Sequence, residues 1–253
     1  IAETITQIVP VLTRAHLNPL NWSVNKTGLA KNYNALQVAA GFMTGSLSFA
    51  NTSHPQRVLL LGLGAGSTAN YLSSMPVNLS IDGVEIVPSL VDMAKRFFGL
   101  TEDDNLRVHV EDGAKFVERA AKEGIVYDSI LLDACSNDVQ VPILCPVDVF
   151  RSPEVLENLR KIVGSTGILS VNVIVHRYGA DPQIKRIYMK HFFNCFYLDT
   201  VSQSVLMCSN RADWHDWSRL ERNFSKKLNE LGRIMTTNQL RKMVIEKGEE
   251  EED

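Results

Sequence analysis

The sequence predicts an α/β chain: a doubly wound, mostly parallel, seven-stranded sheet with a C-terminal antiparallel hairpin. Three observations carry this. Apolar runs of strand length alternate with helix-length amphipathic stretches from residue 57 to residue 193. Runs such as Ser129-Ile130-Leu131-Leu132 lack polar alternation, as expected of strands buried on both faces. Asn194-Cys195-Phe196-Tyr197-Leu198 and Ser204-Val205-Leu206-Met207-Cys208 then stand only a short polar turn apart, the spacing of a hairpin.

Element by element, residues 1–28 read as irregular, except that Thr4-Ile5-Thr6-Gln7-Ile8-Val9 fits a strand. Over 29–50, Leu29, Tyr33, Leu36, Ala40, Met43 and Leu47 recur at three- and four-residue steps and predict a helix. Asn51-Thr52-Ser53-His54-Pro55 breaks the chain before the first core strand. Strands are expected at 57–61, 80–85, 106–110, 127–132 and 167–174, with helices near 66–74, 88–98, 113–123, 153–163 and 181–193. Residues 212–247 read as helical, with Leu220, Phe224, Leu228 and Leu231 as a packing stripe, and 248–253 as a solvated acidic tail.

Composition narrows the function classes. Among 253 residues, 45% are hydrophobic, enough for a real core, and the net charge of −3 does not suggest a nucleic-acid binder. No run of eighteen apolar residues suggests a membrane span, and no basic-then-apolar leader is seen. The chain starts at Ile1, which reads as a piece of something longer. Cys135, Cys145, Cys195 and Cys208 form no Cys-x-x-Cys pair and no His cluster accompanies them, so no metal site is expected. They read as four reduced thiols of an intracellular protein.

The chemistry concentrates in Arg57-Val58-Leu59-Leu60-Leu61-Gly62-Leu63-Gly64-Ala65-Gly66-Ser67 and in Glu85, nineteen residues after Gly66. A strand running into a glycine turn and a helix, with an acid closing the next strand, builds a pocket for an adenosine-bearing cofactor. A nicotinamide site wants Gly or Ala where Ser67 stands, so the Gly62-x-Gly64-x-Gly66 spacing suits S-adenosylmethionine better. Asp112 and Gly113 follow the third strand, where a carboxylate and a backbone amide can meet an adenine edge. Asp133 follows the fourth, at the carboxyl edge where ligands bind in such sheets. Bland roles compete: Glu85 fits as a cap for the helix at Pro88, Asp112 as the N-cap of the helix at Gly113, and Asp133 as a turn residue.

With these residues the chain resembles the class I S-adenosylmethionine-dependent methyltransferases, in their spermidine-synthase-like branch. The similar stretches are Val84–Gly99, Arg107–Gly113 and Tyr127–Asp133. Arg96-Phe97-Phe98-Gly99-Leu100 and the helix ending Ala40-Gly41-Phe42 look like the C-terminal domain of the elongation factor 1-alpha lysine and N-terminal methyltransferase family. The resemblance implies a Rossmann-like fold and a cytoplasmic protein methyltransferase whose acceptor is an N-terminal or lysine amine of elongation factor 1-alpha. Carried over, Gly62, Gly64 and Gly66 cradle the methionine end, Glu85 takes the ribose with Ile86 beside it, and Asp112 and Gly113 take the adenine. Asp133 sits nearest the methyl group. Apart from the resemblance, Asp133 is expected to hydrogen-bond and orient the acceptor amine, with Gln203 on the hairpin turn nearby. The implied layout is a covering segment over 1–50, a cofactor-binding core over 51–211, C-terminal helices over 212–247 and the tail.

Two departures matter. Aminopropyl transferases carry an acid in the glycine turn, where Ala65 stands, and a second acid soon after the strand-four Asp, where Ala134-Cys135-Ser136 follow. The polyamine reading thereby loses both anchors for a cationic amine. Some methyltransferase relatives also carry an acid at the position of Cys135. A polyamine aminopropyl transferase and a non-catalytic cofactor- or partner-binding module are the competing readings.

Overall fold

Strand β3 (Gln56–Leu61) shows why this chain builds a two-faced sheet. Val58 and Leu60 join the apolar cluster on one face, while Leu59 and Leu61 join the cluster on the other. Alternation in direction, without alternation in polarity, requires helices on both sides. In the computed structural model, residues 8–9, 23–29, 31–175, 181–199 and 204–211 are described, with isolated positions at 222, 232 and 244–245.

The remaining elements follow in chain order. Two-residue strands β1 (Ile8–Val9) and β2 (Ser23–Val24) pair with each other, and α1 (Asn32–Thr44) precedes β3. Then come α2 (Ser67–Ser74), β4 (Leu79–Glu85), α3 (Pro88–Phe97), β5 (Leu106–Val110), α4 (Gly113–Lys122) and β6 (Ser129–Leu132). After them stand β7 (Ile143–Cys145), α5 (Pro153–Val163), β8 (Ile168–Val175), α6 (Pro182–Met189), β9 (Asn194–Asp199), β10 (Ser204–Ser209) and β11 (Val244–Ile245).

The main sheet runs β11-β9-β10-β8-β6-β3-β4-β5. Strands β3, β4, β5, β6 and β8 are parallel, and β10 and β9 close the sheet antiparallel. The seven expected strands are all present; β11 and β7 are additions. Helices α1, α2 and α3 cover one face, and α4, α5 and α6 the other.

Four local expectations are corrected. The helix expected over 29–50 is the shorter α1, because Gly45 turns left-handed at φ 75° and its N–H bonds to the Phe42 carbonyl at 3.2 Å. Strand β7 escaped sequence reading: it is three residues long, between Pro142 and Pro146. Val244–Ile245, expected within a helix, pair antiparallel with Asp199 and Leu198, two β-branched residues taking up a sheet edge. The cysteines are bridged rather than free: Cys135 to Cys145 and Cys195 to Cys208. Cys195 and Cys208 face each other directly across β9 and β10 with Cα atoms 4.2 Å apart, the close spacing of an antiparallel pair. The 212–247 helices otherwise lie outside the described residues, as does Gln203. No described helix is long and apolar enough to cross a membrane.

Candidate active site

The turn leaving β3 uses its three glycines for three different purposes. Gly62 has φ +92°, and a Cβ there would stand 2.4 Å from the Asp133 carbonyl oxygen, so its bareness lets two strand ends cross. Gly66, with φ +76°, is the N-cap of α2; a Cβ there would press on Leu100 at 3.0 Å, and Gly66 does not line the cavity. Gly64, with φ +54°, has nothing within 4 Å of a built Cβ: its missing side chain leaves open space. All three amides are already committed, Gly62 N–H to the Val84 carbonyl at 3.0 Å, Gly66 N–H to the Leu63 carbonyl at 2.9 Å, and Gly64 N–H to Glu85 Oε2 at 2.9 Å.

Beside this turn lies a cavity of about 660 Å³, within the usual range for a small-molecule site. Gly62, Gly64, Glu85, Ile86, Asp112, Gly113 and Asp133 all line it. The acids reach it from β4 and β6, which flank β3 in the sheet, and from β5, which lies beyond β4. Glu85 closes β4, buried, and its other oxygen accepts from Val87 N–H at 3.0 Å. Its carboxylate thus ties the glycine turn to the end of β4, more than the helix cap expected as its bland role. Asp112 is the N-cap of α4, with Oδ1 accepting from Ala114 N–H at 2.8 Å. One carboxylate oxygen satisfies the helix, and the residue still borders the cavity. Ile86 and Val149 present apolar surface there, 63% and 43% exposed.

Asp133 has the most elaborate surroundings. Its Oδ2 accepts from the Tyr33 hydroxyl at 3.0 Å, and its Oδ1 from Asn172 Nδ2 at 2.7 Å. Cys135 Sγ lies 3.6 Å from Oδ1. Burial pushes the carboxyl up to about 6, against the opposing pull of the Asn172 and Tyr33 hydrogen bonds and the Lys31 charge. Burial and the adjacent Asp133 charge hold the Tyr33 phenol well above its ordinary range, so it remains a donor. Tyr33 is placed by α1, and α1 is fixed by Gln37, whose buried Nε2 donates to the Leu132 and Ser170 carbonyls at 3.1 Å each.

Tyr33 and Asn172 were not singled out as functional from sequence. Tyr33 stands on the apolar stripe of its helix and reads as core. Asn172 carried a usable signal: a polar residue in a strand buried on both faces needs a partner. Gln203, expected beside Asp133, lies outside the described residues. Among the described residues, no group of three or more His, Cys, Asp or Glu could hold a metal ion.

Comparison with known proteins identifies the fold and the family. The chain is 29% identical over 185 residues to an eEF1A lysine and N-terminal methyltransferase of Xenopus laevis, covering 69% of the chain and 26% of that protein. It is 32% identical over 139 residues to a Drosophila melanogaster eEF1A lysine and N-terminal methyltransferase homolog, covering 53% and 21%. The chain thus spans about a fifth to a quarter of these relatives' length. The structure aligns with human methyltransferase-like protein 13 in complex with SAH at a TM-score of 0.68 and 22% identity, covering 81% of this chain and 93% of that one. The fold is therefore that of the class I methyltransferases. The spermine/spermidine synthase domain matches residues 42–176, from within α1 to just past β8, and the chain belongs to that family.

Proposed function

We propose that the chain is an S-adenosylmethionine-dependent protein methyltransferase acting on an amine, N-terminal or lysine, of elongation factor 1-alpha. The observation that carries this reading is Asp133, held by Tyr33 and Asn172 at the cavity beside the glycine turn. Two of the relatives above bear the names of such enzymes. With Ala65 in the glycine turn and Ala134-Cys135-Ser136 after Asp133, a polyamine lacks both of its usual acidic anchors.

The residues fit the cofactor. Gly64 leaves room at the turn, Glu85 can take ribose hydroxyls, and Asp112 with Gly113 can meet the adenine edge, with Ile86 and Val149 covering its faces. When bound, S-adenosylmethionine supplies a methyl group already activated on a sulfonium. What remains for the protein is to place a neutral amine in line with it. Asp133 accepts a hydrogen bond from the amine and orients it; Tyr33 and Asn172 fix the carboxylate so that its remaining lone pairs can meet the acceptor. In this reading residues 1–50 form the cover that carries Tyr33, 51–211 the cofactor-binding core, and 212–247 a C-terminal appendage. In this reading the work takes place in the cytoplasm.

The test is transfer of labelled methyl from S-adenosylmethionine into a cytosolic extract, resolved by size. A labelled band of elongation-factor size supports the reading. Turnover of putrescine with decarboxylated cofactor, and no labelled protein, would replace it with aminopropyl transfer. The rate is also expected to depend on pH. Below about 6 the Asp133 carboxyl is protonated and accepts poorly, so transfer should rise with pH through that value. Single-turnover rates between pH 5 and pH 8 would show this limb on top of the rise set by deprotonation of the amine itself, and the Asp133→Asn protein should keep only the latter.

A further inference from the structure

The cofactor proposed for this cavity carries one anionic group, the carboxylate of its methionine end. Burying that carboxylate unpaired would be costly. Of the turn's backbone donors, the Gly62, Gly64 and Gly66 amides all bond within the protein. The acids along the wall, Glu85, Asp112 and Asp133, would repel it. Among the described residues lining the cavity, Lys31 is the single cation. It stands two residues before Tyr33, whose hydroxyl holds Asp133, which places it at the transfer end rather than the adenine end. Its side chain makes no ion pair or hydrogen bond among the described residues, and its charge acts on Asp133.

We infer that Lys31 binds the methionine carboxylate of the cofactor and is the residue by which this site prefers S-adenosylmethionine over its decarboxylated form. The inference rests on the methyltransferase reading above and deepens it. Losing the carboxylate removes the group that Lys31 attracts and leaves the ligand's cationic amine beside another cation. Ala65 acts in the same direction, since no acid in the glycine turn compensates such an amine.

Calorimetric titration of S-adenosylhomocysteine, decarboxylated S-adenosylmethionine and methylthioadenosine tests this, because the last lacks the amino-acid end altogether. Lys31→Ala is expected to weaken S-adenosylhomocysteine about tenfold or more, as for loss of a charge-assisted hydrogen bond, and to leave methylthioadenosine unchanged. Lys31→Arg should retain most of the affinity. Lys31→Glu should shift the preference toward the decarboxylated ligand. Unchanged binding of S-adenosylhomocysteine in Lys31→Ala overturns the assignment, as does equal weakening of it and methylthioadenosine, which would mean that α1 had moved. If the unaltered protein bound none of the three, the cofactor reading itself would fall, and the role of Lys31 with it.

Discussion

Replacing Asp133 by Asn is expected to slow methyl transfer about a hundredfold or more, the usual scale for losing a positioned acid–base group. The substitution keeps the shape and changes the hydrogen-bond logic. Asp133 now accepts from two donors, the Tyr33 hydroxyl and the Asn172 amide. An amide offers one acceptor oxygen, so one of these donors is left facing an N–H, and the acceptor amine loses its carboxylate. Folding should not suffer. Burial raises the Asp133 carboxyl from its ordinary 3.8 to about 6, so its ionisation weighs against the fold as pH rises through that window. Asn carries no such burden at neutral pH. Three measurements separate the causes: transfer rate, thermal unfolding, and calorimetric binding of S-adenosylhomocysteine. Lost transfer with intact unfolding and binding is the expected pattern; unchanged turnover would remove Asp133 from the mechanism.

The second large effect is a contrast between two glycines two residues apart. Gly62→Ala places a Cβ 2.4 Å from the Asp133 carbonyl oxygen, on a residue at φ +92°. Backbone on one side cannot yield as a flexible side chain would. Left-handed strain and overpacking together cost about 3 kcal/mol. For a chain of this size that lowers the melting temperature by roughly 6–12 °C. Gly64→Ala meets nothing within 4 Å and costs only its φ, about 1 kcal/mol. Its methyl instead enters the space assigned to the cofactor. Stability should therefore fall mainly in Gly62→Ala, and affinity for S-adenosylhomocysteine mainly in Gly64→Ala, as read by thermal unfolding and calorimetry. A Gly64→Ala protein with full affinity would show that the ligand lies elsewhere.

Much of this was legible in the residues themselves. The strands β3, β4, β5, β6 and β8 could be found because burial on both faces forces apolar runs, and Glu85, Asp112 and Asp133 because they end those runs. The glycine spacing marked the turn, yet not the division of labour within it, which depends on what crosses above each residue. Tyr33 and Asn172 were hidden because their meaning lies in contact across 100 and 39 residues of sequence. The paired cysteines were missed for the same reason: β9 and β10 set Cys195 opposite Cys208, and only the register shows it. The edge strand Val244–Ile245 is two residues long and offers no period to read.

The arrangement along the sheet edge bears on how such a protein changes over evolutionary time. On the function proposed above, the nucleoside half of the cavity is built from the ends of β3, β4 and β5, and the transfer half from β6, β8 and α1. The two halves meet where Gly62 passes under Asp133. Substitutions in α1, or in the stretch after β6, can therefore alter which nucleophile is admitted without disturbing the nucleoside grip. A lineage could exchange one transferred group or one acceptor for another by modest steps at one end of a single cavity. The seam at Gly62 would stay fixed, and it is the position where drift should be least tolerated.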